Sequence, residues 1–297
     1  MKIAKIVFLM ILSFVFIGVI FLFEIKKLPV GSSIAGIVLG FLIPGVVNSF
    51  QDLFDTTSWK ISQRKLMRGG IINDNTIVRI SFAYLYRIKI NNKYLLVKNE
   101  RGTGKYQPVG GVYKLLGNEK VELKNRYQIK DDDKIPIDES SRDDYRLRME
   151  NKYLRKFVWR FDHKAEREQI YDLGREIREE LVEKAIVNWT DISYRFCGRH
   201  ITELRFGEHF QCYEILLADV LELLPTLEQE ADLYRLIKQQ SDMDRFATAE
   251  EINSLGIDTE NGELREIISD HAKKIIQENE GQLMKITNVG NIYRIQL

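Results

Sequence analysis

The chain has 297 residues and a formal net charge of +1, from 44 Lys and Arg against 43 Asp and Glu. So even a balance does not suit a surface built to follow duplex nucleic acid, which is held largely by displaced counterions. Cys197 and Cys212 are the only cysteines, and without a suitably spaced histidine pair they make no zinc site.

Two uncharged apolar segments open the sequence, Ile6 to Phe23 and Leu28 to Phe50, joined by Glu24-Ile25-Lys26-Lys27. Each is long enough as a helix for a hydrocarbon core of roughly 30 Å. So short a link joins only antiparallel neighbours, which predicts a two-helix transmembrane hairpin over residues 1–50. The first apolar core is too long for a secretory signal and lacks a small-residue cleavage site. Lys2 and Lys5 before the first segment, and Lys60, Arg64, Lys65 and Arg68 after the second, outnumber Lys26 and Lys27 in the link. That bias predicts a multi-pass inner-membrane protein with both termini cytoplasmic, where both cysteines would be reduced. Ser32, Gly36 and Gly40 recur every four residues and form a smooth ridge suited to membrane helix packing and to homo-oligomer formation.

Residues 51–74 read as a linker and 75–297 as one mixed α/β domain. Thr76 to Ile90 is rich in β-branched and aromatic residues, Asn91-Asn92 is a turn signal, and Tyr94 to Lys98 reads as the return strand of a hairpin. An extended segment follows that ends in Gly110-Gly111, a pair that permits positive φ or close backbone approach. The stretch at about 117–166 is polar around Asp131-Asp132-Asp133, which predicts an exposed loop. It turns aromatic at Phe157-Val158-Trp159-Arg160-Phe161, which predicts an ordered strand or helix start and a mixture of Arg and aromatic groups suited to bases and phosphates. Arg195, Arg199, His200 and Arg205 form a second set of candidate phosphate partners.

The main chemical signal is Arg175-Glu176-Ile177-Arg178-Glu179-Glu180. On a regular helix Glu176, Glu179 and Glu180 share one face, and hard divalent cations such as Mg²⁺ take oxygen ligands of this kind. The alternative is a solvated helix face in which Arg175 reaches Glu179. The like-charged pair Glu176 and Glu180 costs such a face a few tenths of a kcal/mol.

A Gly-Gly strand followed by a helix bearing Arg-Glu-hydrophobic-x-Glu-Glu resembles the Nudix box, the metal- and diphosphate-binding loop and helix of Nudix hydrolases. Phe206 to Ala218 resembles a paired strand of that fold. Arg245 to Ile252 resembles the segment before its last helix, and Asp270 to Gln277 the helix itself. The resemblance covers most of residues 75 to 280 and implies an α/β/α sandwich around a mixed sheet, with Gly110, Gly111, Arg175, Glu176, Glu179 and Glu180 at the ligand and Glu176, Glu179 and Glu180 on any Mg²⁺. The sequence departs from the box in three ways. Roughly 60 residues separate Gly111 from Arg175, far more than an ordinary connection. The box glutamate position falls on Arg167, between Glu166 and Glu168, and the box glycine position on Phe161. Val182 replaces the last box glycine. Because hydrolysis needs tightly held carboxylates, these departures favour binding over catalysis.

A membrane hairpin followed by a divergent Nudix domain is similar to the two-transmembrane Nudix effectors of CBASS, the cyclic-oligonucleotide anti-phage systems of bacteria. The resemblance implies that the Nudix-like domain senses a cyclic nucleotide and that the hairpins assemble to disrupt the inner membrane in abortive infection. The alternative is a membrane-anchored, Mg²⁺-dependent Nudix hydrolase of a nucleoside diphosphate-linked substrate.

Overall fold

The computed structural model describes residues 2–26, 31, 33, 36–38, 40, 58–99, 104–139, 141–239, 241–257, 264, 267–277, 283 and 292–297. The chain divides into two compact units, Met1–Ile61 and Ser62–Leu297.

The expected membrane hairpin is corrected. Among the described residues no helix is long and apolar enough to cross a membrane. Helix α1 spans Lys2–Ile25. Most of the second predicted segment lies outside the described residues. The fold class is therefore a mixed-sheet α/β domain without the hairpin, and the multi-pass inner-membrane placement falls with it. Helix α2 follows at Ser58–Arg68.

The second unit is built on strand β1, Ile77–Arg87, whose alternate residues are apolar and buried. The predicted single strand from Thr76 to Ile90 breaks at Ile88, and β2 (Lys89–Ile90) belongs to a different sheet. The predicted turn forms: Asn91 and Asn92 both take positive φ, 48° and 59°, the pair of left-handed residues that a two-residue hairpin needs. Strand β3 (Lys93–Lys98) then pairs β2, β4 (Tyr106–Gln107) pairs the far end of β3, and β5 is Gly110–Val112.

The insertion carries helix α3 (Glu119–Tyr127), strands β6 (Lys130–Asp131) and β7 (Arg146–Glu150), and helix α4 (Leu154–His163). The expected exposed loop is corrected here. Asp132 is buried, 4% exposed, because Arg79 of β1 donates to it from Nε at 2.7 Å. Strand β7 pairs β1 directly, Ile77↔Glu150 through Ser81↔Arg146, while β5 pairs the next part of the same edge, Ala83↔Val112 through Leu85↔Gly110. The insertion thus continues the central sheet. The aromatic stretch is helical, and α4 buries Phe157 and Phe161 on Phe82, with the Phe82 and Phe161 rings 4.6 Å apart.

A short helix α5 (Arg175–Ile177) leads into β8 (Asp191–Ile201), β9 (Arg205–Gly207) and β10 (Cys212–Leu223). The predicted strand from Phe206 to Ala218 is a hairpin, with β9 pairing the start of β10. Helix α6 (Leu227–Lys238), β11 (Asp244–Thr248), α7 (Ala249–Asn253), a 3₁₀ turn at Asp270–Lys274 and β12 (Ile292–Gln296) complete the described elements. Thr248 and Glu251 close a capping box at α7. The larger sheet runs β12-β8-β10-β1-β7-β6, with β1 and β10 parallel. The smaller sheet runs β11-β3-β2, with β4 on β3.

Successive side chains of β1 point to opposite faces, which makes the layers. Phe82, Tyr84 and Tyr86 face α4 and the segment before α5, while Leu85 joins Ala272 and Ile275 on the other side. There the buried Arg87 donates to the carbonyls of Ile275 (2.5 Å) and Gln277 (2.7 Å).

Candidate functional site

The glycine pair is required by space. A Cβ on Gly110, whose φ is +154°, would run into the carbonyl oxygen of Tyr84 and the Cα of Leu85, and a Cβ on Gly111 would collide with the carboxylate of Glu176. Beyond β5 the insertion leaves and returns through a paired stem. Glu168 N–H donates to the Lys114 carbonyl at 3.1 Å, Leu115 bridges Arg167, and Leu116 N–H donates to the Glu166 carbonyl at 2.9 Å. The inserted residues therefore close on themselves, and Gly111 stays beside the helix that carries the glutamates.

Spacing points to Arg167 as the box glutamate position, but the stem turns Arg167 inward, where its guanidinium lies 3.9 Å from the Phe161 ring centroid and 4.7 Å from that of Tyr113. Its neighbour Glu168 points the other way, as alternate residues of an extended pair do. Glu168 accepts the backbone N–H of Lys114 at 3.0 Å and Nε of Arg175 at 2.7 Å. The offset of one residue is visible in sequence only as a glutamate flanking the expected position.

Arg175 is the hub. Besides Nε, its Nη1 donates to Glu176 Oε1 and lies 3.6 Å from Glu179 Oε2, and its Nη2 donates to the Val112 carbonyl at 3.0 Å and to Glu168 at 3.3 Å. Burial opposes its charge, but the bonded Glu168 and nearby Glu176 hold its pKa above the ordinary value.

Beyond Ile177 the helix widens into a π turn over Arg178–Val182, closed by Glu183 N–H on the Arg178 carbonyl at 2.8 Å. Such turns are rare and recur at functional sites. The three carboxylates on this segment sit in different surroundings. Glu176 is 8% exposed, the side chain of Glu179 is 41% exposed, and Glu180 turns back to accept the Gly110 N–H at 3.1 Å. Burial pushes the Glu176 carboxyl up, against the pull of Arg175. Burial, then the charge of Glu176, push Glu180 up to about 8, with the Gly110 N–H opposing. Beneath them lies Tyr84, paired across the sheet with Gly111. Its buried hydroxyl has no hydrogen-bond partner among the described residues, and burial raises its pKa. Nothing in the sequence singles Tyr84 out among the aromatics of β1.

A Mg²⁺ ion wants several oxygens converging with lone pairs to spare. Among the described residues no three or more His, Cys, Asp or Glu side chains are grouped to hold a metal. Glu176 is engaged by Arg175, Glu180 by Gly110, and Glu179 lies 3.6 Å from Arg175 Nη1. As arranged, the predicted Mg²⁺ ligands do not fit the ion.

The other predicted positions do not join this site. Arg199 is 1% exposed and bonds Asp219 through Nε (2.6 Å) and Nη2 (2.8 Å), with Asp162 on its Nη1. Buried Asp219 and the more exposed Asp162 take up its charge. Tyr194 of β8 reaches the Ile170 carbonyl on the α5 side of the sheet, so its neighbour Arg195 lies on the opposite face, where it pairs with Glu222. His200 contacts Gln277. Ser32 lies outside the described residues, and a Cβ at Gly36 or Gly40 would meet nothing within 4 Å. Cys197 and Cys212 are free thiols on β8 and β10.

No curated protein matches the chain. The family model described as SMODS-associated NUDIX domain matches residues 77–276, the span from the start of β1 to the segment beyond the last 3₁₀ turn. That supports the expected kinship with CBASS-associated Nudix effectors and lends nothing to its two-transmembrane part. With its Gly-Gly strand, its Arg-Glu helix and a match over most of its length, the chain belongs to the SMODS-associated NUDIX domain family.

Proposed function

We propose that this chain is a CBASS effector whose Nudix domain recognises a cyclic oligonucleotide without hydrolysing it. The observation that carries the reading is the engagement of the box glutamates by Arg175 and Gly110. Nudix domains in general use Mg²⁺, held by carboxylates free to take it, whereas recognition asks only for a shaped and stable surface. Ligand works by favouring one state of the effector over another, and moving a population from mostly resting to mostly active takes on the order of 5 kcal/mol of differential affinity. Assembly of several copies on the ligand supplies such a difference by raising their effective concentration.

One observation favours the hydrolase reading: the stem closes the insertion, so the strand, box glutamate and Arg-Glu helix remain adjacent in space. The test uses the full chain with a panel of cyclic di- and trinucleotides and linear nucleoside diphosphate derivatives, with and without Mg²⁺. Melting temperature reports binding, and mass spectrometry of the recovered ligand reports chemistry. A cyclic ligand at about 100 times its Kd adds roughly 2.7 kcal/mol of stability and is expected back intact. Turnover of a linear diphosphate, or of the cyclic ligand itself, overturns the proposal.

A further inference from the structure

We infer that Arg175 is the resident cation of this box: its guanidinium occupies the centre of Glu168, Glu176 and Glu179, so that the domain folds and holds its loop without a divalent metal. The inference goes beyond the sensing proposal and does not depend on what the domain binds.

The geometry is that of a filled site. Five N–H groups leave a guanidinium in a rigid planar fork that matches carboxylates, and Arg175 has a protein oxygen for each direction: Glu168 on Nε and Nη2, Val112 on Nη2, Glu176 and Glu179 on Nη1. The acceptors come from three separate segments. Val112 ends β5, Glu168 ends the insertion stem, and Glu176 and Glu179 lie on the helix and its π turn. A metal ion shared among those oxygens would perform the same joining task. The Nη1 contacts link the two glutamates that the sequence offers to Mg²⁺, and Glu180, the third, is turned away onto Gly110. Gly111 supports the same arrangement, since any side chain there would displace the Glu176 carboxylate from Arg175.

The inference makes opposite predictions for the parent and for chains that have lost the fork. Thermal melting of the full chain is recorded in EDTA, in 10 mM Mg²⁺ and in 10 mM Mn²⁺, each matched in ionic strength with NaCl. The parent is expected to melt within about 1 °C in all three, as no ligand-linked stabilisation is available to it. Arg175→Ala leaves three carboxylates facing one another around a vacated centre. It is expected to melt several degrees lower in EDTA and to recover at least about 3 °C in Mg²⁺ or Mn²⁺. Arg175→Lys retains a positive charge without the fork and serves as the second variant should the alanine chain not fold, with a smaller loss and a smaller recovery expected. A rise of several degrees in the parent on adding either cation overturns the inference. So does a folded variant that gains no cation response, because the carboxylates are then not held together around Arg175.

Discussion

Two of the domain's several carboxylate centres, one in the insertion and one in the box, are satisfied to different degrees. Glu119, at the start of α3, is 0% exposed and accepts four hydrogen bonds: from Arg160 Nε (2.9 Å) and Nη2 (2.6 Å), from Tyr145 Oη (3.0 Å) and from the Glu166 backbone (3.1 Å). Glu180, in the box, accepts one backbone N–H and has a second carboxylate, Glu176, one turn away. A buried charge with every lone pair engaged fixes a structure, whereas one engaged in part is sensitive to solvent, protons and ligands. The insertion is organised around the first kind and the box around the second. The rigid centre of the insertion thus lies outside the box.

The largest effect should come from the satisfied centre. Glu119→Ala strands Arg160, Tyr145 and the Glu166 N–H, and about 3–5 kcal/mol of stability to urea should be lost, as for other buried pairs deprived of one partner. A loss below about 1 kcal/mol would show that Glu119 does not organise the insertion. Next is Gly111→Ala, where the added methyl meets the Glu176 carboxylate and should cost about 1–3 kcal/mol by overpacking. If the clash is the cause, the double variant with Glu176→Ala will be more stable than the sum of the single changes predicts, and simple additivity would point instead to backbone strain.

Glu180 sharpens the comparison through pH. Its carboxyl titrates near 4.5 when unfolded and is pushed up to about 8 in the fold, so between those values the unfolded chain binds fewer protons than the folded one. Stability therefore falls as pH rises from about 4.5 to 8. Glu180→Gln mimics the protonated form and should remove that slope, exceeding the parent above pH 8 and matching it near pH 4.5. Parallel pH profiles for the two proteins would mean that the box carboxylate is ionised and accommodated at neutral pH. The smallest effect belongs to Tyr84→Phe. Its hydroxyl makes no hydrogen bond among the described residues, so removal should change stability by less than about 0.5 kcal/mol or raise it. A loss above about 1 kcal/mol would reveal a buried water bonded to it.

These two centres also divide what could be read from sequence. The first long strand and its return strand, the Asn91-Asn92 turn and the glycine pair were legible, because each rests on local periodicity or on a short motif. What was not legible depends on partners far along the chain. Asp132 sits in a run of acids that reads as solvated, and it is buried because Arg79 lies 53 positions earlier. Arg199 reads as a phosphate partner, and Asp219 and Asp162 have already taken its charge. The shared face of Glu176, Glu179 and Glu180 presumed 3.6 residues per turn, and the π turn breaks that period with no signal in composition. Glu168 takes the role that spacing gives to Arg167 because the stem, and no motif, decides which neighbour faces Arg175. The apolar opening of the chain shows the opposite failure: strong composition suggested a membrane hairpin, and no described helix is long and apolar enough to be one.

The edge that β7 and β5 share along β1 has a consequence for how the chain folds. Lys114 and Glu168, which frame the box, lie 54 positions apart, and joining them through an unstructured loop carries a closure entropy that grows with the logarithm of its length. Once β7 has zipped onto β1, most of that interval is already spanned, and only short connections remain. The box should therefore assemble late, after the insertion, and open early. In native-state hydrogen exchange the amides of Lys114 and Glu168 are expected to lose protection together, before those joining β1 to β10. A cell that clears misfolded chains would then remove those with a faulty insertion before the box had ever formed.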